Sequence, residues 1–158
     1  MTRRLATSYA DADQSVGLLL WQVTNRWQAA QRAALKPFDL THVQFVLLAS
    51  LTWLGGDDPV NQRDLAEHAA TDPMMTSQVL RALQQRGLVT RQPHPGDGRA
   101  WAVAVTPAGE LIANQANAAV ETCDEVFFAG LGARTTAFAG SLRRLRDQAL
   151  STKTSKRD

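Results

Sequence analysis

The chain has 158 residues, 44% of them hydrophobic and 20% charged, which suits a folded domain with a sizeable core and excludes a disordered chain. A formal net charge of +2 and a pI near 9.1 permit a polyanionic partner without demanding one, so the argument for one has to come from a local cluster. The single Cys123 excludes an internal disulfide and a cysteine-based zinc site, and His42, His68 and His94 lack the spacing of metal ligands.

The first residues, MTRRLATSYADADQ, carry two arginines with no apolar segment behind them, and no stretch reaches the ~18 apolar residues of a membrane span. A cytoplasmic chain with no membrane partner, metal or cofactor is the expectation. From Ala10 to about Leu35 the chain lacks proline, and Val16, Leu20, Val23 and Trp27 recur at steps of four and three on one helical face. Leu18, Leu19 and Trp21 widen that stripe beyond what one neighbour covers. Lys36-Pro37 ends the helix, Thr41 caps a second one through Trp53, and Gly55-Gly56-Asp57-Asp58-Pro59 reads as a loop.

Two short helices follow. Asn61 caps one that runs to about Ala69 with Leu65, Ala66 and Ala69 inward, and Asp72-Pro73 opens another that runs to Arg86. Gly87 suits the left-handed position after its end. The tight connection between the two predicts a helix-turn-helix. Leu88 to Gln92 then reads as a strand and Arg99 to Val105 as its partner, with Trp101, Val103 and Val105 on one face. The segment between them, with Pro93, Pro95, Gly96 and Gly98, is too long for a two-residue turn and is expected to project. Thr106-Pro107 opens a long helix to about Ala129 with a stripe of Ile112, Ala116, Ala119, Cys123 and Val126. Gly130 and Gly132 break it, and a last helix spans Ala133 to Ala149, carrying Phe138, Leu142 and Leu145. The fold class is therefore mostly α with a small β-hairpin, and residues 151–158 are expected to form a disordered tail.

On the helix from Pro73 to Arg86, Thr76, Val79, Leu80 and Leu83 face the core, which leaves Met74, Ser77, Gln78, Arg81 and Gln85 outward and Met75 at the border. That outward face has hydroxyl, amide and guanidinium groups and no acid, as a surface laid against DNA requires. Gln can read adenine, Arg can read guanine or hold phosphate, and Met can touch a thymine methyl. A merely solvated face would have a similar composition. Residues 60 to 101 hold five arginines against four acids, so placement rather than net charge carries the case. Asp64 and Asp72 sit near helix starts, where they offset the dipole, while Arg81, Arg91 and Arg99 fall on the second helix, the strand and the loop. A projecting loop can carry Arg99 into a narrow minor groove, with Asp97 accepting from its guanidinium to aim it; the alternative is an exposed pair worth little.

The run NQRDLAEHAATDPMMTSQVLRALQQRGLVTRQPHPGDGRAWAVAVTPAGE resembles the winged helix-turn-helix of the MarR family, the multiple antibiotic resistance regulators. The Leu65-Ala66 pair, the Leu83 to Gly87-Leu88-Val89-x-Arg91 passage, Asp97-x-Arg99 and Thr106-x-x-Gly109 match its pattern in order and spacing over about residues 61 to 111. The resemblance implies a single-domain protomer over 1–158, with a winged helix-turn-helix lobe at 41–106 flanked by dimerisation helices at 8–36 and 107–150. It implies a DNA-binding transcriptional regulator, a repressor, acting as a homodimer on a pseudo-palindromic site. Met74, Met75, Ser77, Gln78, Arg81 and Arg91 are its DNA-binding candidates, with Asp97 and Arg99 in the wing. Thr71 departs from the family pattern, which has an apolar residue there, and the two methionines occupy sites often polar. The broad apolar stripes of the first and last helices independently call for a partner surface.

The resemblance further implies a small aromatic or anionic effector, for which Trp21, Trp27, His42, Phe45 and Trp53 are the candidate lining. Aromatics at helical spacing also serve simply as core. Some relatives sense peroxide through cysteine, but Cys123 has no cationic neighbour at helical spacing to lower its pKa and reads as a small apolar residue. The alternatives are a winged-helix module for protein partners without a specific DNA site, or a redox-responsive regulator using Cys123. An enzyme is not expected, since the chain has no phosphate-cradling glycine loop, no HExxH and no recognisable pairing of acid and nucleophile.

Overall fold

Capping side chains decide where the helices begin. In the computed structural model, which describes residues 5–56 and 58–154, helix α1 (Val16–Leu35) starts on Ser15, whose hydroxyl accepts from the Leu18 N–H. It starts later than Ala10 because Ala12–Gln14 form a separate 3-10 turn capped by Asp11. At the expected proline stop, Lys36–Phe38 make another such turn and Asp39 reverses the chain at φ 52°. Helix α2 (His42–Gly55) opens on a reciprocal capping box between Thr41 and Gln44 and continues past Trp53 to Gly55. Asp57 of the expected loop lies outside the described residues.

The next elements are strand β1 (Val60–Asn61), helices α3 (Gln62–Ala69) and α4 (Pro73–Gln85), and strands β2 (Val89–His94) and β3 (Asp97–Val105). The hairpin expected from sequence is a three-stranded antiparallel sheet in the order β1-β3-β2, with Val60 opposite Val103 and Asn61 opposite Ala102. Two residues are too few to show alternation, so β1 leaves no signal in the sequence. Its presence makes β3 the central strand, which is why neighbouring Ala102 and Val103 are both buried.

The wing is also tighter than expected. Pairing continues through Pro93 and His94, leaving only Pro95-Gly96 as the turn. Pro93 is tolerated because β2 is an edge strand, where its missing N–H costs no ladder bond. The surplus length appears instead as a register break. Pro93 pairs with Trp101 but His94 pairs with Asp97, so Gly98, Arg99 and Ala100 are skipped and bulge from β3.

Helix α4 ends in a Schellman motif, with the Gly87 N–H on the Gln84 carbonyl, the Leu88 N–H on the Leu83 carbonyl, and Gly87 at φ 71°. Thr106 binds this end to the start of helix α5 (Pro107–Phe128): its hydroxyl donates to the Gly87 carbonyl and accepts from the Gly109 N–H, and its own N–H reaches the Leu88 carbonyl. A Cβ at Gly109 would collide with the Leu88 carbonyl oxygen, so only glycine fits. That close approach sets the rotation of α5. Its buried face is Gly109, Ala113, Ala116 and Val120, whereas Ile112, Ala119 and Cys123 of the expected stripe are half-buried and Val126 is exposed. The core gathers Leu47, Leu48 and Leu51 of α2, Leu65 of α3, and Leu80 and Leu83 of α4, all withdrawn from solvent.

The chain separates at Cys123 into two compact units, residues 1–123 and 124–158. The second holds the end of α5, a 3-10 segment at Ala129–Arg134 with Gly132 at φ 52°, and helix α6 (Thr135–Thr154). Within it the Phe128 ring lies 5.1 Å from that of Phe127 and 6.2 Å from that of Phe138. The helix continues through Thr154, into the segment expected to fray, and 155–158 lie outside the described residues. No helix of the described residues is long and apolar enough to cross a membrane.

Candidate nucleic-acid interface

Helix α4 is set against α3 by polar contacts at the turn. Ala70 takes the left-handed conformation, φ 52°, and Thr71 and Asp72 complete the connection. The Asp72 carboxylate accepts from the N–H groups of Met74 and Met75, at 2.9 and 3.0 Å, and Pro73 occupies the first helical position. The buried Thr76 hydroxyl donates to the Asp72 carbonyl at 2.8 Å and lies 2.7 Å from the Thr71 hydroxyl. Since one hydroxyl has one proton, Thr71 is the donor of that second bond. The polar residue at position 71 therefore has its partner inside the motif.

With Thr76, Leu80 and Leu83 buried, the opposite side of α4 presents Met74, Met75, Gln78, Arg81 and Gln85 to solvent, and Ser77 is half-buried at the border. The helical wheel is matched except at its border, where Met75 is exposed and Ser77, expected outward, is half-buried. Of the five arginines between residues 60 and 101, three are engaged within the molecule. Arg63 meets Glu67 one turn along α3 at 3.3 Å. Arg86 donates to the carbonyls of Asp39 and Phe38, at 2.6 and 3.5 Å, tying the end of α4 to the α1–α2 corner. The half-buried Arg91 donates through Nε to Gln62 Oε1 at 3.0 Å, with its guanidinium carbon 4.5 Å from the centroid of the Trp101 ring. Arg81 and Arg99 are exposed, and their guanidinium groups have no hydrogen-bond or carboxylate partner among the described residues.

Burial, and after it the charge of Arg81, lowers the Arg91 pKa from its ordinary value. A guanidinium lowered in this way is still protonated near neutrality, so Arg81 and Arg91 form a like-charged pair that an anion would relieve. At the wing tip the Asp97 carboxylate accepts from the backbone N–H of Arg99 at 3.0 Å. The expected bond to the Arg99 guanidinium is replaced by a backbone one, because the bulge brings that N–H two residues on within reach of a short side chain. Asp97 thus shapes the chain around Arg99.

The aromatic residues proposed as an effector lining are dispersed. Trp27 and His42 meet edge to face, centroids 5.1 Å apart, and join α1 to α2. Phe45 belongs to the core, while Trp21 and Trp53 are exposed. Cys123 is half-buried on α5. Among the described residues no three His, Cys, Asp or Glu side chains stand close enough together to hold a metal ion. Sequence reasoning missed Gln62 and Trp101, which join Arg91 only because the strand register puts residues 91 and 101 on one face.

Known proteins share this arrangement. Residues 40–101 match the MarR family. An uncharacterized HTH-type transcriptional regulator of Bacillus subtilis, YdcH, is 39% identical over 124 residues, which cover 78% of this chain and 84% of that protein. An HTH-type transcriptional repressor of Mycobacterium tuberculosis is 33% identical over 121 residues, covering 77% and 85%. The solved structure of BpsR from Bordetella bronchiseptica, whose DNA binding is regulated by 6-hydroxynicotinic acid, superposes with a TM-score of 0.80 at 26% identity, over 89% of this chain and 99% of that one. The capped α3–α4 pair, the three-stranded wing and these relatives lead to one conclusion: the chain belongs to the MarR family and is a DNA-binding helix-turn-helix transcriptional regulator, not an enzyme.

Proposed function

We propose that the protein is a cytoplasmic repressor that binds a pseudo-palindromic operator as a homodimer, with α4 of each protomer in a major groove and each wing in the flanking minor groove. One observation carries this reading: three of the lobe's five arginines are satisfied internally, and the two left over stand on the outward face of α4 and on the wing bulge. Arg81, Gln78 and Ser77 would supply hydrogen bonds to base edges or phosphates, Met74 and Met75 apolar contact, and Arg91 a positive charge beside Arg81. Arg99 would enter the minor groove, with Asp97 holding its backbone.

The dimer rests on apolar surface. Val16, Leu20, Trp21 and Val23 of α1 are exposed, as are Leu142, Leu145 and Leu150 of α6, and such patches mark partner surfaces. Two recognition helices related by a two-fold axis fit half-sites about one helical turn, ~34 Å, apart. An aromatic or anionic effector, by analogy with the acid that regulates BpsR, would bind beside α1 and α2 at the Trp27–His42 contact; of the other candidates, Phe45 is committed to the core and Trp21 and Trp53 stand in solvent. It acts only if it prefers a dimer whose recognition helices no longer match that spacing.

Selection of bound duplexes from a random library at near-physiological salt, run beside Arg99→Ala, tests the proposal. The expected result is an inverted repeat whose enrichment weakens in the variant. Salt-sensitive binding with no enriched sequence, unchanged by the substitution, would overturn it in favour of a module for protein partners. For the effector, 6-hydroxynicotinic acid and related aromatic acids are titrated against the selected duplex, and binding of the acid without loss of DNA affinity would remove the release mechanism.

A further inference from the structure

Arg99 stands on the bulge of β3, next to Gly98 and close to the two-residue turn, where the ladder to β2 is interrupted and a single bond to Asp97 holds its N–H. Left alone, such a segment would sample many positions, and the ordering required on DNA would weaken binding. Something has to hold its root.

Arg91 sits opposite Val103 and Trp101 sits opposite Pro93, so Arg91 and Trp101 are diagonal neighbours on one face of the hairpin, within reach for a long side chain and a large ring. The Arg91 guanidinium lies over the Trp101 ring and its Nε donates to Gln62 Oε1. Gln62 begins α3 immediately after β1, the strand on the far side of β3. One side chain from β2 therefore meets the ring on the central strand and the first residue of α3, which follows β1 directly. The Trp101–Pro93 pair is also the last regular one before the bulge that carries Arg99.

We propose that Arg91 and Trp101 are positioning residues for the wing: stacked together and anchored on Gln62, they fix the twist of the sheet at the root of the bulge and so set where Arg99 meets the minor groove. The inference rests on the reading of Arg99 as a minor-groove contact. Lysine cannot replace Arg91, because only a planar guanidinium stacks on a ring while donating sideways through Nε. The partial burial of Arg91 and the nearby charge of Arg81 both oppose the cation, so the ring face and the Gln62 carbonyl offset a real penalty.

The test uses the full-length protein on its selected duplex. Affinity is measured for Trp101→Leu, Trp101→Phe and Arg91→Lys, each with Arg99 present and with Arg99→Ala, and each variant's melting temperature is recorded. With Arg99 present, Trp101→Leu and Arg91→Lys should each weaken binding about tenfold, the range of a partly desolvated cation–ring contact, and Trp101→Phe should recover most of that loss. In the Arg99→Ala background the losses should vanish, because the brace acts through that side chain. Reselection with Arg91→Lys should lose preference for A·T pairs at the flanks while keeping the preference inside each half-site. Losses that persist undiminished without Arg99, that fall equally on flank and half-site, or that phenylalanine fails to rescue would overturn the proposal. If Arg99→Ala alone leaves affinity and flank preference unchanged, the minor-groove reading has failed first and the brace falls with it; that outcome is visible in the single variant.

Discussion

Helices α4 and α1 solve opposite problems with the same geometry. On α4 the apolar residues Leu80 and Leu83 are fully buried, the caps at both ends are filled, and the side left to solvent holds Gln78, Arg81 and Gln85 beside Met74 and Met75, with no acid. On α1 only Gln31 and Leu35 are buried, and Val16, Leu18, Leu19, Leu20, Trp21 and Val23 are exposed. A face that carries amides and a guanidinium and no acids needs no cover in water and is ready for a polyanion, whereas a broad apolar face is incomplete until another apolar surface covers it. The first therefore points to nucleic acid and the second to a protein chain, and the two faces should fail in different ways when mutated.

The largest effect should come from the incomplete face. Leu20→Asp is expected to leave the lobe folded, since the residue is exposed in the protomer, yet to give a monomer by sedimentation. DNA affinity should then fall by about two to four orders of magnitude, the avidity lost when two linked half-site contacts become one. A dimeric Leu20→Asp protein would contradict the reading of α1. Leu83→Ala, on the finished helix, should instead lower folding stability by about 2–5 kcal/mol, read as an earlier urea midpoint with an unchanged slope. Arg81→Ala is expected to do neither; plotted as log affinity against log salt, its DNA binding should have a slope shallower by about 0.9, the signature of one lost phosphate contact. An unchanged slope with altered base preference would make Arg81 a base reader instead. The smallest change is a gain: Ala70→Gly removes the left-handed penalty at φ 52° and should raise stability by up to about 1 kcal/mol in thermal melts.

These contrasts depend on features that differ in how openly the sequence declares them. Helix starts are legible because a cap is local: Thr41, Asn61 and Asp72 each bond within three residues of themselves. The outward face of α4 is legible for a similar reason, since helical periodicity alone sorts Gln78 and Arg81 from Leu80 and Leu83. Strand register has no such local rule. Strand β1 is two residues long, and the wing's turn shortens only because Pro93 falls on an edge and Gly98 to Ala100 bulge, facts that depend on which strand lies where. Hence Arg99 could be placed from the sequence where the loop becomes a strand, with its wing role taken from the family resemblance, while the partners of Arg91 could not be found. The rotation of α5 was hidden too, because a steric contact between Gly109 and a carbonyl twenty-one positions earlier decides it.

That contact has a mechanical consequence. The Thr106 hydroxyl bonds to Gly87, just past the end of α4, and to the first turn of α5, with Gly109 pressed against the Leu88 carbonyl, so the two helix ends meet in one joint. The stretch of α5 from Pro107 to Cys123 is a rod of about 25 Å, and a displacement of about 2 Å at its far end would tilt the joint by about 5°. A rod joined in this way shares a pivot with α4 at Gly87 and Leu88, so a tilt of α5 would bear first on the end of that helix.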